Sequence, residues 1–158
     1  MGGVLESHNK KDLPLNILLV EDNEADVKIA LRAFQQARLK NQLFVTHNGQ
    51  ECVDFVRHRG SFTEAARYPR PDLILLDISM PVMDGFGVLK DLKGDEALRS
   101  IPIIVMTGSS NEDDIRRSYA NGANSFIRKP VAYEEFVEVV EAFNHYWHII
   151  NTLPGRKN

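Results

Sequence analysis

Leu73-Ile74-Leu75-Leu76-Asp77 is four apolar residues closed by a carboxylate, and three more strand-like runs each end in a residue of matching chemistry. Ile17-Leu18-Leu19-Val20 runs into Glu21-Asp22, Ile103-Ile104-Val105-Met106 into Thr107, and Ser125-Phe126-Ile127-Arg128 into Lys129-Pro130. The runs at 17, 73 and 103 are continuously apolar instead of alternating, as parallel strands covered on both faces are. In one parallel sheet their ends share an edge, and ligands of open α/β sheets sit outside that edge. Three carboxylates, a hydroxyl and an ammonium would then converge. Crowded carboxylates repel one another and need a cation, and Mg²⁺ suits a few carboxylates together with water and phosphate oxygens. A lysine and a threonine hydroxyl suit phosphoryl oxygens. The set describes a candidate phosphoacceptor aspartate.

Helical spacing fills the gaps, so strand and helix alternate from about Leu15 onward. Val27, Leu31, Phe34 and Ala37 trace one face of a first helix. Cys52, Phe55 and Val56 mark a second, and Phe86, Leu89 and Leu92 a third. Residues 111–121 read as a fourth, with Ser109 or Ser110 as its cap, Glu112, Asp113 and Asp114 in its first turn and Gly122 after its end. A last helix is expected from near Ala132 to about Thr152. A weaker strand at 43–46 and a fifth near 124–128 complete the sheet. The connection at 60–71, with Arg67, Arg70 and the preceding Arg59, is longer than most and reads equally as a contact surface or a plain insertion. The expected organisation is an N-terminal arm over 1–13, one domain over 14–145, and a C-terminal helix extension and tail over 146–158.

Composition narrows the class. A chain of 158 residues, 43% hydrophobic and 26% charged, fits one globular domain with a real core. The net charge of −3 gives no basic footprint for nucleic acid or a membrane surface. The single cysteine, Cys52, excludes an internal disulfide and reads as a buried structural thiol. No run has the length of a membrane span or the form of a signal peptide, and Glu6 stands where a myristoylation signal needs Ser or Thr. A cytoplasmic location is expected. His8, His47, His58, His145 and His148 lack the spacing of zinc ligands.

Four segments carry a family resemblance. Leu18-Leu19-Val20-Glu21-Asp22-Asn23, Asp77-Ile78-Ser79-Met80-Pro81-Val82-Met83-Asp84-Gly85, Val105-Met106-Thr107-Gly108 and Phe126-Ile127-Arg128-Lys129-Pro130 follow one another at the spacing of a receiver domain. From about residue 16 to 143 the chain resembles the receiver domains of two-component response regulators. That resemblance implies a flavodoxin-like, doubly wound α/β fold with a five-stranded parallel sheet of order 2-1-3-4-5. Asn111-Glu112-Asp113-Asp114-Ile115, with Tyr146-Trp147 and Thr152-Leu153-Pro154, resembles the phytochrome-associated single-domain response regulators, which extend the last helix and dimerise through it.

The resemblance also implies roles. Asp77 receives the phosphoryl group from a sensor histidine kinase, with Mg²⁺ as cofactor. Asp22, Asp77 and the backbone carbonyl of Ser79 bind the metal, and Glu21 acts through a coordinated water. Glutamate in place of aspartate lengthens that side chain and leaves direct coordination open, and Glu21-Asp22 also reads as a cap for the helix starting near Glu24. Lys129 pairs with Asp77 before phosphorylation and with a phosphoryl oxygen after it, and the Lys129-Pro130 bond is expected to be cis. Thr107 is the switch hydroxyl, and Phe126 either follows it inward or is a permanent core residue. Ser79 and Ser109 flank the path of the attacking water.

The last helix carries two apolar stripes. Phe136, Val140, Phe143, Trp147 and Ile150 form one, and Val139, Ala142, Tyr146 and Ile149 a second about 100° away. One sheet face needs one stripe, so Phe143, Tyr146, Trp147 and Ile150 are expected at a homodimer interface, with packing on the protein's own loops as the alternative. The leading expectation is a stand-alone receiver acting through protein contacts. A Mg²⁺-dependent aspartyl phosphatase is the rival, but Ser79 occupies the place of its general-acid aspartate. A degenerate receiver serving as scaffold is the third reading.

Overall fold

The structure is a computed structural model and describes residues 15–36, 41–108, 111–129 and 133–145. Strand and helix alternate through ten elements. These are β1 (Leu15–Val20), α1 (Glu24–Gln36), β2 (Asn41–Thr46), α2 (Gly49–Val56), β3 (Leu73–Leu76), α3 (Gly85–Lys93), β4 (Ile103–Thr107), α4 (Glu112–Ala120), β5 (Ser125–Arg128) and α5 (Tyr133–His145). The five strands form one parallel sheet of order β2-β1-β3-β4-β5. The fold class read from the sequence is therefore the observed one.

Both faces of the sheet are covered, which explains the unbroken apolar runs. Leu18, Val20, Ile74, Leu76, Ile103 and Val105 pack against Cys52, Phe55, Val88, Leu89 and Leu92 of α2 and α3. Their sequence neighbours Ile17, Leu19, Leu73, Leu75, Ile104 and Met106 face Ala30, Ala33 and Phe34 of α1 and Phe136, Val137 and Val140 of α5. Alternate residues of one strand thus enter two cores. Cys52 is fully buried, and burial pushes its thiol above the ordinary value, as a structural cysteine requires.

Local readings changed in three places. On α1 the buried stripe is Val27, Ala30, Ala33 and Phe34, while Leu31 is only half-buried. Small alanines let the helix lie close to the sheet, so the larger side chain turns aside. The cap of α4 is Asn111, not Ser109 or Ser110, because its side chain accepts a hydrogen bond from the Asp113 amide at 2.9 Å. Ahead of α1, Asn23 takes the capping place expected of Glu21-Asp22, accepting from the Asp26 amide at 3.1 Å. The longer side chain of Glu21 folds back instead, to accept from the Asn23 amide.

The 60–71 connection contains a single 3-10 turn, Gly60–Phe62. Phe62 and Tyr68 meet each other edge-on and both pack against Phe55, with ring centroids 5.1–5.5 Å apart, and the His58 ring hydrogen-bonds the Tyr68 carbonyl. Its apolar residues extend the core against α2, which favours a packed insertion over a contact surface. Among the described residues, no helix is long and apolar enough to cross a membrane.

Candidate functional site

The parallel register carries four chain ends to one edge. Beyond the strands the backbone pairing continues for one residue: Glu21 donates its amide to Thr46, Asp77 to Val20, and Lys129 to Thr107. The carbonyl edge of β1, β3, β4 and β5 thus presents Glu21, Asp77, Thr107 and Lys129 side by side. The loop from β3 to α3 can close tightly over this edge because two glycines lack a side chain. A Cβ on Gly85 would lie 2.7 Å from the Asp77 carbonyl oxygen, and one on Gly49 2.2 Å from that of Met83.

Carboxylate oxygens of Glu21, Asp22 and Asp77 all lie within 4.8 Å of one another. Glu21 and Asp77 are buried at 2% and 8% relative exposure, whereas Asp22 is open to solvent. At that separation and an effective dielectric constant of about 20, each charged pair repels by roughly 3 kcal/mol or more. One ammonium cannot offset three such pairs. The set suits a hard divalent cation with oxygen ligands, entering from the Asp22 side.

Lys129 supplies the positive charge that is present. Its ammonium donates to Glu21 Oε2 and, at 2.9 Å, to Asp26 Oδ2, and stands 3.6 Å from Asp77 Oδ2. The expected lysine–Asp77 ion pair is present, and the ammonium's hydrogen bonds go in addition to Glu21 and Asp26, whose carboxylates lie closer to it. Burial works against the ammonium, but hydrogen bonds to Glu21 and Asp26 and the charges of Glu21 and Asp77 outweigh it and raise its pKa. For Glu21, burial is the largest cause and the Asp77 charge adds to it. Together they exceed the hydrogen bond from Lys129, and the carboxyl is pushed up to about 7.

Asp77 Oδ1 accepts the Ser79 amide at 3.2 Å, which fixes the acceptor carboxylate against its own loop. Thr107 is buried at 3% at the end of β4. Phe126 is half-buried against the core on the α2–α3 side, and its amide donates to the Tyr119 hydroxyl at 3.2 Å. Ser109, the expected cis bond to Pro130, and Tyr146, Trp147 and Ile150 lie outside the described residues, as does the side chain of Phe143. Sequence reasoning missed Asp26. It stands in the first turn of α1, where its carboxylate reaches the lysine at the sheet edge, but an acidic residue in a first turn reads as a partner of the helix dipole.

A carboxylate acceptor, an acidic cluster beside it, a lysine and a threonine hydroxyl on one edge of a 2-1-3-4-5 sheet define a signalling receiver. The family model described as the response regulator receiver domain matches residues 17–141. The chain belongs to that family and is a receiver-domain response regulator of a two-component system. It is 37% identical over 155 residues to a probable methanogenesis regulatory protein, FilR2, of Methanothrix harundinacea, covering 98% of this chain and 94% of the relative. It is 33% identical over 142 residues to the response regulator Rcp1 of Synechocystis sp., covering 90% and 95%. The crystal structure of the phosphorylated cyanobacterial phytochrome response regulator RcpA superposes with a TM-score of 0.82 at 34% identity, covering 90% of this chain and all of that one. A structure of Rcp1 in its Mn²⁺-bound form superposes at 0.79 and 32% identity with the same coverage.

Proposed function

We propose that the protein accepts a phosphoryl group on Asp77 from the phosphohistidine of a sensor histidine kinase and thereby switches its protein–protein contacts. The observation that carries this is the position of Asp77, buried, within 4.8 Å of the Glu21 and Asp22 carboxylates and 3.6 Å from the Lys129 ammonium. An Asp77 carboxylate oxygen attacks phosphorus, the O–P bond forms, and the P–N bond to the donor imidazole breaks. The electron pair leaves on the imidazole nitrogen, which takes up a proton. The only chemistry assigned to the protein is this transfer and the hydrolysis of its own acyl phosphate.

The residues fit Mg²⁺, which when bound offsets the negative charge of the carboxylates and phosphoryl oxygens. Asp22, Asp77 and the Ser79 carbonyl would hold it, with Glu21 acting through a water. Lys129 takes one phosphoryl oxygen and the Thr107 hydroxyl another, and Phe126 follows Thr107 inward. An aspartyl phosphatase is disfavoured because Ser79, which presents its amide to Asp77, leaves no general acid at that place. The protein acts in the cytoplasm as a homodimer joined through the last helix, without nucleic acid or membrane. The phytochrome relatives support a photoreceptor kinase as donor, and FilR2 a metabolic one; phosphotransfer from both kinds to this protein separates them.

Metal dependence tests the reading. An acyl-phosphate donor such as acetyl phosphate should label the protein with Mg²⁺ or Mn²⁺ present and not in excess chelator. Equal labelling in chelator would rule the site out.

A further inference from the structure

Asp26 belongs to no strand end and to none of the motifs that define the site, yet its carboxylate holds the lysine of that site. A lysine ammonium has three donors. Glu21 Oε2 takes one and Asp26 Oδ2, at 2.9 Å, a second, while Asp77 Oδ2 at 3.6 Å lies beyond hydrogen-bond reach. Among the described residues one donor is left without a hydrogen bond, and the phosphoacceptor carboxylate is the anion facing the ammonium at that distance. The two anchors come from different elements, the end of β1 and the first turn of α1. Asp26 is itself fixed, since its amide bonds the Asn23 side chain at 3.1 Å. Glu24 shares that turn, and no bond from it reaches the ammonium, so complementing the helix dipole does not explain the contact.

We propose that Asp26 is a positioning residue for phosphoryl transfer: with Glu21 it clamps the Lys129 ammonium at two points, so that the third donor faces the phosphoryl group arriving on Asp77. A free lysine side chain carries about 2 kcal/mol of rotamer entropy, which must otherwise be lost as the transition state forms. A group already aimed at developing charge avoids that reorganisation. The inference rests on the function proposed above, with Asp77 as acceptor and Lys129 as phosphoryl partner.

The test uses the full chain with saturating Mg²⁺ and acetyl phosphate titrated up to saturation. Asp26→Ala should lower the first-order labelling rate about tenfold, the usual scale for losing a group that orients a site residue. The half-saturating donor concentration and the thermal midpoint should stay unchanged. Asp26→Asn keeps an acceptor atom at the same place and should remain within roughly threefold of wild type. Glu24→Gln should match wild type. In nitrogen-15-labelled protein, the slowly exchanging Lys129 ammonium signal should survive in wild type and Asp26→Asn and vanish in Asp26→Ala. Wild-type labelling with Asp26→Ala equally fast would overturn the inference and leave the acceptor assignment standing. So would Asp26→Asn falling as far as Asp26→Ala, since local charge would then account for the effect. Failure of the wild type itself to label would instead remove the underlying reading, and this inference with it.

Discussion

Glu21 shows how burial and charge divide at a single residue. Its carboxyl is nearly sealed from solvent and pushed up to about 7 by burial and by the Asp77 charge, with the Lys129 hydrogen bond in opposition. Between the ordinary value of 4.5 and that of the folded state, the folded protein holds a proton that the unfolded chain has released. Unfolding then loses a proton, so the stability contributed by this group is fully present below pH 4.5 and lost as the pH rises through about 7. In metal-free protein, urea midpoints should fall across that window, and Glu21→Gln should flatten the slope. An unchanged slope in the variant would contradict this account of Glu21. At this scale Asp77, Glu21, Asp22, Thr107 and Lys129 were legible, because a residue type at the end of an apolar run also states its place on the sheet edge. Asp26 was not, because its partner lies 103 residues away and nothing local distinguishes it from a helix-end charge.

Among the elements, the strands were the most legible and the loops and caps the least. A run such as Leu73–Leu76 has one solution in a sheet covered on both faces. The caps at Asn23 and Asn111 depended on which of several short polar side chains met a free amide, and several candidates were chemically equivalent. The β3–α3 loop holds a feature that no pattern announced. Met83 donates its amide to the Pro81 carbonyl at 2.8 Å, and Val82 between them has φ +70° and is 82% exposed. A β-branched residue is strained in that conformation, and this one offsets the strain with no burial. Val82→Asn should therefore stabilise the fold by about 1 kcal/mol, since asparagine tolerates positive φ. The denaturation midpoint measures it, and a loss of stability would show that Val82 contributes contacts not evident in the fold.

For the whole molecule, the sheet order followed from the sequence through the family resemblance, and the layering of two cores followed from the unbroken apolar runs. The proposed homodimer rests on the last helix. Phe136, Val137 and Val140 of α5 are buried against the sheet, whereas Ala142 of the second stripe is exposed. Self-complementary C2 pairing is the commonest way to bury a surplus apolar stripe. Trp147→Arg, or truncation after Phe143, should convert a dimer to a monomer in sedimentation equilibrium, with little effect of salt. A wild-type monomer at micromolar concentration, with and without a phosphate mimic, would refute the dimer. The central claim is narrower, namely that Asp77 and no other residue carries the phosphoryl group. Its most direct test is peptide mapping by mass spectrometry after labelling with acetyl phosphate and Mg²⁺ and trapping of the acyl phosphate by borohydride. The account predicts a single modified residue, Asp77, and no labelling of a folded Asp77→Asn variant. Modification elsewhere in the wild type, or wild-type kinetics of labelling in Asp77→Asn, would contradict it.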